Sequence, residues 1–217
     1  MPARSQSWGR IERAARKNGH TRIVGVDEVG RGPLAGPVVA CAILLPHTCR
    51  DIAGVGDSKA LRADDRERLA AEIRGVAVAI GIGAASVGEI DRVNIYQATA
   101  LAMRRAIARI PGPHDLLLVD GSPFAALGLP HQAVVKGDAC CLSIACASII
   151  AKVTRDRLLT ALNARYPAYG WQNNAGYGTR EHLAALAING ATPHHRRSFR
   201  PLRTDPPDLF SSLEQPA

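Results

Sequence analysis

The spacing of apolar and polar residues predicts a mixed α/β fold, because two different periods occur along the chain. Three β-rich runs come first, over residues 22–27, 36–45 and 76–87, and little sequence separates the first two. This spacing predicts an antiparallel meander of three strands. A continuous apolar run over 116–119 is typical of a strand buried on both faces, and a weaker strand follows over 131–135.

Helical periods occupy the segments around the last two strands. Apolar residues recur every three or four positions over 93–110, and Asn94 opens a sequence that resembles a capping box. A second apolar stripe runs over 144–158, with Arg155 outside the stripe, and a third helix covers 179–188. Parallel strands need crossover helices, and sheets of this kind bind ligands at the carboxyl ends of their strands.

Composition narrows the class of protein. The chain has 217 residues and a formal net charge of +8, and its hydrophobic fraction of 47% excludes a disordered chain. No apolar run approaches the roughly 20 residues that span a bilayer. The polar N-terminus lacks the apolar segment of a secretory signal, so we expect a cytoplasmic protein without membrane contact. A basic excess serves either solubility or the binding of a polyanion, and charge alone leaves both open.

The cysteines predict neither a disulfide framework nor a zinc site. Their number is odd, and no Cys-x-x-Cys pair stands at zinc spacing from another. We interpret all of them as small apolar residues of the core. They are Cys41, Cys49, Cys140, Cys141 and Cys146.

Acidic residues stand where the predicted strands end. Asp27 and Glu28 close the first strand, Asp120 follows the continuous apolar run, and Asp138 follows the last strand. Carboxylates that are brought together repel one another, so a cation joins them or some become neutral. Small clusters of hard oxygen ligands select Mg²⁺ or Mn²⁺. A turn or helix-cap role stays open for each acid alone, and the set at successive strand ends favours a metal site.

A glycine-rich loop over 29–37 joins the first two strands. It lacks the Lys-Ser/Thr of a nucleotide-binding loop. Its glycines allow the backbone to approach a ligand, and the guanidinium of Arg31 matches a phosphate, although a tight hairpin also explains the pattern. Tyr177, between two glycines, is free to stack on a sugar or base, or it anchors a packed loop. A basic run over 194–200 predicts a solvated face or phosphate contacts.

Ordered segments of the chain resemble ribonuclease HII, the bacterial type 2 ribonuclease H. They are GVDEVGRGPLAGPVVA, GDSKAL, NIYQATALAMRRA, LLLVDG, KGDACCLSIACASIIAKVTRDR, GYGT and HHRRSFRP. The resemblance implies a ribonuclease H-like mixed five-stranded sheet flanked by helices, with a small helical C-terminal extension. It implies an endonuclease that hydrolyses the RNA strand of RNA–DNA hybrids and cuts 5′ to ribonucleotides embedded in duplex DNA, leaving 5′-phosphates.

The resemblance also implies roles for individual residues. The catalytic residues, which bind divalent Mn²⁺ or Mg²⁺, are implied to be Asp27, Glu28, Asp120 and Asp138. The implied substrate-binding residues are Gly30, Arg31, Gly32, Lys59 and Tyr177. In the family the glycine–arginine loop reads the ribose 2′-OH, the tyrosine stacks on the sugar at an RNA–DNA junction, and the lysine lies near the nucleic-acid backbone.

Three segments divide the chain in this interpretation. We expect a ribonuclease H-like catalytic domain over 1–165, a substrate-contacting extension over 166–201 and a mobile tail over 202–217. The expected partner is an RNA–DNA hybrid or a ribonucleotide-containing DNA duplex, bound by a monomer. Two other hypotheses remain: another nuclease of the superfamily, such as a junction resolvase, and a non-catalytic binder of RNA–DNA hybrids.

Overall fold

A five-stranded mixed sheet forms the centre of the computed structural model, which describes residues 9–49, 51–56 and 61–203. The strands are β1 Ile23–Val29, β2 Val38–Leu44, β3 Ala79–Ala85, β4 Leu116–Asp120 and β5 Gln132–Val134. Their order is β3-β2-β1-β4-β5. The first three strands pair antiparallel, and β4 pairs parallel with both β1 and β5. The predicted meander and the predicted five-stranded fold are confirmed.

Helices cover both faces of this sheet. Those of the described ranges are α1 Arg10–Lys17, α2 Ala63–Val76, α3 Val87–Ile107, α4 Leu142–Arg165, α5 Trp171–Asn174 and α6 Arg180–Asn189. Short 3₁₀ turns lie at Ala125–Leu127, Gly137–Ala139 and Pro167–Tyr169. Alternate residues of β2 point to opposite faces: Ala40 and Ala42 pack with α3, whereas Cys41 and Ile43 pack with α2 and α4.

The start of α3 differs from the prediction. The helix begins at Val87, where Ser86 and Glu89 form a capping box, and its polar first turns hide the apolar period. Asn94 marks a kink inside the helix, with φ of 67°. Its Oδ1 accepts hydrogen bonds from the N–H groups of Tyr96 and Gln97, so Asn94 caps the second segment of a kinked helix.

Close packing sets α4 against the strand that carries the acids. A Cβ on Gly25 of β1 would lie 2.4 Å from the main-chain carbon of Ser143, at the start of α4. Only glycine allows this approach. The first turns of α4 therefore lie directly against β1, two residues before Asp27.

The chain after α4 folds back onto the loop between β1 and β2. A small cluster joins Ala35 of that loop to Leu159 of α4 and to Tyr169, Trp171 and Ala185. The division at residue 165 stays a prediction, and the predicted tail lies outside the described residues from 204 onward. No helix within the described ranges is long and apolar enough to cross a membrane.

The cysteines are all free. Cys41, Cys141 and Cys146 are buried in the core, as predicted. Cys49 and Cys140 are partly exposed and pack against the edge of the core. Burial raises the pKa of each of these thiols.

Candidate active site

Three carboxylates meet at the carboxyl ends of β1 and β4. The two strands pair in parallel with Val26 opposite Val119, so the next residue on each strand, Asp27 or Asp120, reaches the same edge of the sheet. Together with Glu28 they line a cavity of about 470 Å³. The sequence prediction that acids at strand ends come together is therefore correct for these three residues.

Asp27 is the most deeply buried of the three, with 6% of its surface exposed. One of its oxygens accepts a hydrogen bond of 2.7 Å from the Glu28 N–H, and Ser148 of α4 bonds the side chain. Burial raises the pKa of Asp27 well above its usual value, and repulsion from Glu28 and Asp120 raises it further. The folded chain thus holds a carboxylate whose charge is not compensated.

Glu28 and Asp120 are fixed by different partners. Burial raises the pKa of Glu28, and Arg31, whose Nη1 lies 3.3 Å from Glu28 Oε1, lowers it in part. Asp120 accepts a hydrogen bond of 2.7 Å from the N–H of Gly137. The 3₁₀ turn after β5 is thereby tied to the end of β4.

Asp138 lies on that 3₁₀ turn, next to Gly137 in the chain, and is partly exposed. It is not among the residues that line the cavity. Asp138 is therefore close to Asp120 through its chain neighbour Gly137, but its side chain does not line the cavity. Lys59, by contrast, lies outside the described residues.

The donor set fits a hard divalent cation. Within the described ranges, no three Asp, Glu, His or Cys side chains are arranged to hold a metal ion as they stand. The cavity nevertheless gathers carboxylate oxygens, and the charge of Asp120 raises the pKa of both Asp27 and Glu28. Oxygen-only donor sets of this kind suit Mg²⁺ and Mn²⁺. Lys152 also lines the cavity, but its Nζ lies 2.6 Å from Asp156 Oδ1. Because Lys152 pairs with Asp156, a bound cation would be needed to compensate the negative charge of the three acids.

The glycine–arginine loop and Tyr177 lie beside the cavity and touch each other. Gly30 has φ of 92°, and a Cβ there would lie 2.2 Å from Arg155 Nε. A Cβ on Gly32 would lie 3.4 Å from the Tyr177 ring. Tyr177 is 52% exposed, and it also lines the acid cavity. Both readings of the loop hold: it is a hairpin connection, and it borders the candidate site.

Two arginines contradict the expectations from the sequence. Arg155, expected outside the buried stripe of its helix, is 1% exposed, and Arg196, expected on a solvated basic face, is fully buried. Both donate hydrogen bonds to carbonyl oxygens of the glycine–arginine loop or its flanks. His195, from the same basic run, is also buried. The two buried guanidinium groups are stabilised in the interior because main-chain carbonyls accept the hydrogen bonds that water would otherwise accept.

Sequence reasoning also missed Ser148, which lies in a continuous apolar and small-residue stretch of α4. A polar side chain within such a stretch is a usable signal, because a buried hydroxyl needs a partner. Here the partner is Asp27.

Comparison with known proteins identifies the family. The ribonuclease HII family model matches residues 24–202. A ribonuclease HII of Cereibacter sphaeroides is 58% identical over 194 residues, which cover 88% of this chain and 90% of that protein. A ribonuclease HII of Enterococcus faecalis is 50% identical over 207 residues, covering 93% of this chain and 80% of that protein.

Solved structures agree with this result. The ribonuclease H2 from Pyrococcus horikoshii OT3 superposes with a TM-score of 0.72 at 27% identity, covering 84% of this chain and 95% of that chain. The chain therefore belongs to the ribonuclease HII family and is an endoribonuclease of the ribonuclease H type.

Proposed function

We propose that this ribonuclease uses a divalent metal to cut 5′ to ribonucleotides embedded in duplex DNA, and to hydrolyse the RNA strand of RNA–DNA hybrids. The observation that carries the proposal is the grouping of the buried Asp27 with Glu28 and Asp120 around one cavity. Such a cluster is unfavourable without a cation and becomes favourable with one. The family membership supports the same reaction.

The acids would hold Mg²⁺ or Mn²⁺, with Asp27, Glu28 and Asp120 as ligands. Asp138 is proposed as the fourth acid, because its neighbour Gly137 is hydrogen-bonded to Asp120. When bound, the metal supplies activation of water and neutralises charge on the leaving 3′ oxygen. Ser148 and the Glu28 N–H would fix the orientation of the Asp27 carboxylate, which lines the cavity.

Selection of the ribonucleotide is assigned to the loop and the tyrosine. Gly30, Arg31 and Gly32 would present main-chain donors and a guanidinium to the ribose and its phosphate, and Tyr177 would stack on the adjacent sugar. Lys59 is proposed to contact the nucleic-acid backbone. We further propose that the chain acts as a monomer in the cytoplasm, in ribonucleotide and primer removal.

Cleavage of a labelled DNA duplex that contains one ribonucleotide tests the proposal. We expect a single cut on the 5′ side of the ribonucleotide with Mn²⁺ or Mg²⁺, a 5′-phosphate on the product, and no cut in EDTA. The matched control is the same duplex made entirely of DNA. Cutting of the all-DNA duplex would indicate a resolvase-like nuclease, and metal-independent binding without cutting would indicate a non-catalytic hybrid binder. Either result contradicts the proposal.

A further inference from the structure

The loop between β1 and β2 is held from beneath by the buried guanidinium of Arg196. Its Nη1 donates to the carbonyl of Arg31 at 2.9 Å, and its Nη2 donates to the carbonyl of Gly30 at 2.5 Å. Its Nε and Nη2 also reach the Gly36 carbonyl, at 3.0 and 2.8 Å. One planar group therefore joins both ends of the loop.

Arg155 of α4 supports the same loop from the other side. It donates to the carbonyls of Pro37 at 3.0 Å, Ala35 at 3.0 Å and Ala175 at 2.9 Å. The last of these carbonyls lies two residues before Tyr177. Arg155 thus connects main-chain atoms of the glycine–arginine loop to the tyrosine loop, whereas the partners of Arg196 all lie in the glycine–arginine loop.

The direction of the loop carbonyls decides where its N–H groups point. In a trans peptide the C=O and the following N–H point in opposite directions. Because Arg196 draws the carbonyls of Gly30 and Arg31 inward, the N–H groups of Arg31 and Gly32 face outward. Neither N–H donates a hydrogen bond within the described residues. Two adjacent donors are therefore presented away from Arg196, in a loop that Tyr177 borders at Gly32.

The tyrosine loop is fixed to the same assembly. The Gly176 carbonyl accepts hydrogen bonds from the N–H groups of Leu34, at 2.8 Å, and Ala35, at 3.3 Å. The Tyr177 carbonyl lies 2.8 Å from Nδ1 of the buried His182. The main chain that carries the exposed ring of Tyr177 is thus fixed by contacts of two successive carbonyls, those of Gly176 and Tyr177.

Arg155 and Arg196, which together we call the arginine clamp, also place positive charge behind the N–H groups of Arg31 and Gly32. Burial lowers the pKa of Arg196 to about 9, with repulsion from Arg155 adding to it, and burial lowers that of Arg155 to about 10. Both remain charged at neutral pH. Two buried cations next to outward N–H groups favour an anion such as a phosphate at this surface.

We propose that Arg196, together with Arg155, is a positioning residue that sets the Arg31 and Gly32 amides and Tyr177 for one ribonucleotide and its phosphate. This inference rests on the proposed function, since it assumes that the loop and Tyr177 select the ribonucleotide. A lysine is not an equivalent substitute, because an ammonium cannot bond three carbonyls in one plane.

The substitution Arg196→Lys tests this role, because it keeps the charge and removes the planar fork. Arg22→Lys is the matched control: Arg22 also donates to two loop carbonyls, those of Pro111 and Pro113, but it precedes β1 at the opposite end of that strand from the acids. Fluorescence anisotropy in EDTA measures the Kd for a DNA duplex with one ribonucleotide and for the same duplex made of DNA. Steady-state cleavage with Mn²⁺ then gives kcat and KM.

For Arg196→Lys we expect the preference for the ribonucleotide duplex to fall toward one, kcat/KM to fall about 100-fold, and the Kd for all-DNA duplex to stay within about twofold. Arg22→Lys should keep the wild-type preference. Wild-type preference in Arg196→Lys overturns the inference alone. Absence of preference and of cleavage in the wild type instead overturns the proposed function. If Arg196→Lys does not fold, Arg155→Lys replaces it with the same expectations, and circular dichroism confirms its fold.

Discussion

Two neighbouring regions of the molecule treat buried charge in opposite ways. At the acid edge of the sheet, burial raises the pKa of Asp27 and of Glu28, and the nearby Asp120 raises both further, while Arg31 only partly compensates Glu28. In the clamp beside it, Arg155 and Arg196 donate to carbonyl oxygens through every nitrogen of their guanidinium groups. The acid edge lacks compensating positive charge, whereas the guanidinium groups of the clamp have all their hydrogen-bond partners.

The difference indicates separate roles, catalysis for the acid edge and positioning of the loop for the clamp. Uncompensated carboxylates lower stability, and such groups are retained where a cation binds and chemistry occurs. Satisfied buried charges fix the geometry of a loop without needing a ligand. We therefore expect substitutions at the acid edge to remove activity while sparing stability, and substitutions in the clamp to change recognition.

Removal of one carboxylate charge should have the largest effect. Asp120→Asn keeps the acceptor for the Gly137 N–H but removes the charge of a proposed metal ligand, so the cleavage rate with Mn²⁺ should fall by about 1000-fold or more. Single-turnover cleavage of the duplex with one ribonucleotide measures this. The matched control is Asp64→Asn at the exposed start of α2, for which we expect a change below about twofold. Near-wild-type cleavage by Asp120→Asn would show that Asp120 is not a ligand.

Loss of the exposed aromatic ring should have a smaller effect. Tyr177→Ala removes a stacking surface, so kcat/KM on a single embedded ribonucleotide should fall by about tenfold or more. Tyr177→Phe keeps the ring and should retain most of the activity. The comparison of the two variants separates stacking from the hydroxyl. Unchanged kinetics of Tyr177→Ala on this substrate would remove the residue from the recognition surface.

Acidification should change the contributions of Asp27 and of His195, the chain neighbour of Arg196, to stability with opposite signs. Burial, with repulsion from neighbouring histidines, lowers the pKa of His195 to about 4, so the unfolded chain binds this proton more readily and stability falls from about pH 6.5 toward pH 4. The pKa of Asp27 is raised in the folded state, so its unfavourable charge is relieved as the pH falls. The Asp27 contribution therefore offsets part of the His195 loss.

Urea unfolding at several pH values between 7 and 4 separates these contributions. We expect Asp27→Asn to lose stability more steeply with acid than the wild type, because the variant lacks the offset. The His195 contribution to the total loss is at most about 3 kcal/mol. Parallel pH profiles for the two proteins would contradict the raised pKa of Asp27.

The sequence pattern predicts much of the fold and part of the site. The acids were found because each follows an apolar strand, and parallel pairing of β1 with β4 brings Asp27 to Asp120. Arg155 and Arg196 were missed because their partners are main-chain carbonyls, which no side-chain pattern records. The absence of a side chain at Gly30 opens the space for Arg155, and periodicity does not record this either.

Long-range partners are the other part that periodicity does not record. Glu12 of α1, 3% exposed, accepts hydrogen bonds from the Leu142 N–H at 3.0 Å and from the Ser143 N–H and hydroxyl at 2.8 and 2.7 Å. It caps α4 from a distant part of the chain, since the N-cap residue Cys141 provides no side-chain cap. Glu12 is thus a buried carboxylate that is fully partnered, in contrast to Asp27.

The free energies of unfolding of Asp27→Asn and Glu12→Gln compare these two carboxylates most directly. In urea with EDTA at pH 7.5, we expect Asp27→Asn to be as stable as the wild type or more stable, because it removes an uncompensated charge. Glu12→Gln should lose about 1–2 kcal/mol, because a charged cap becomes a neutral one. Saturating Mn²⁺ should stabilise the wild type and Glu12→Gln but not Asp27→Asn. A loss of stability in Asp27→Asn equal to that in Glu12→Gln, or equal stabilisation of all three proteins by Mn²⁺, would contradict an acid edge that a metal completes.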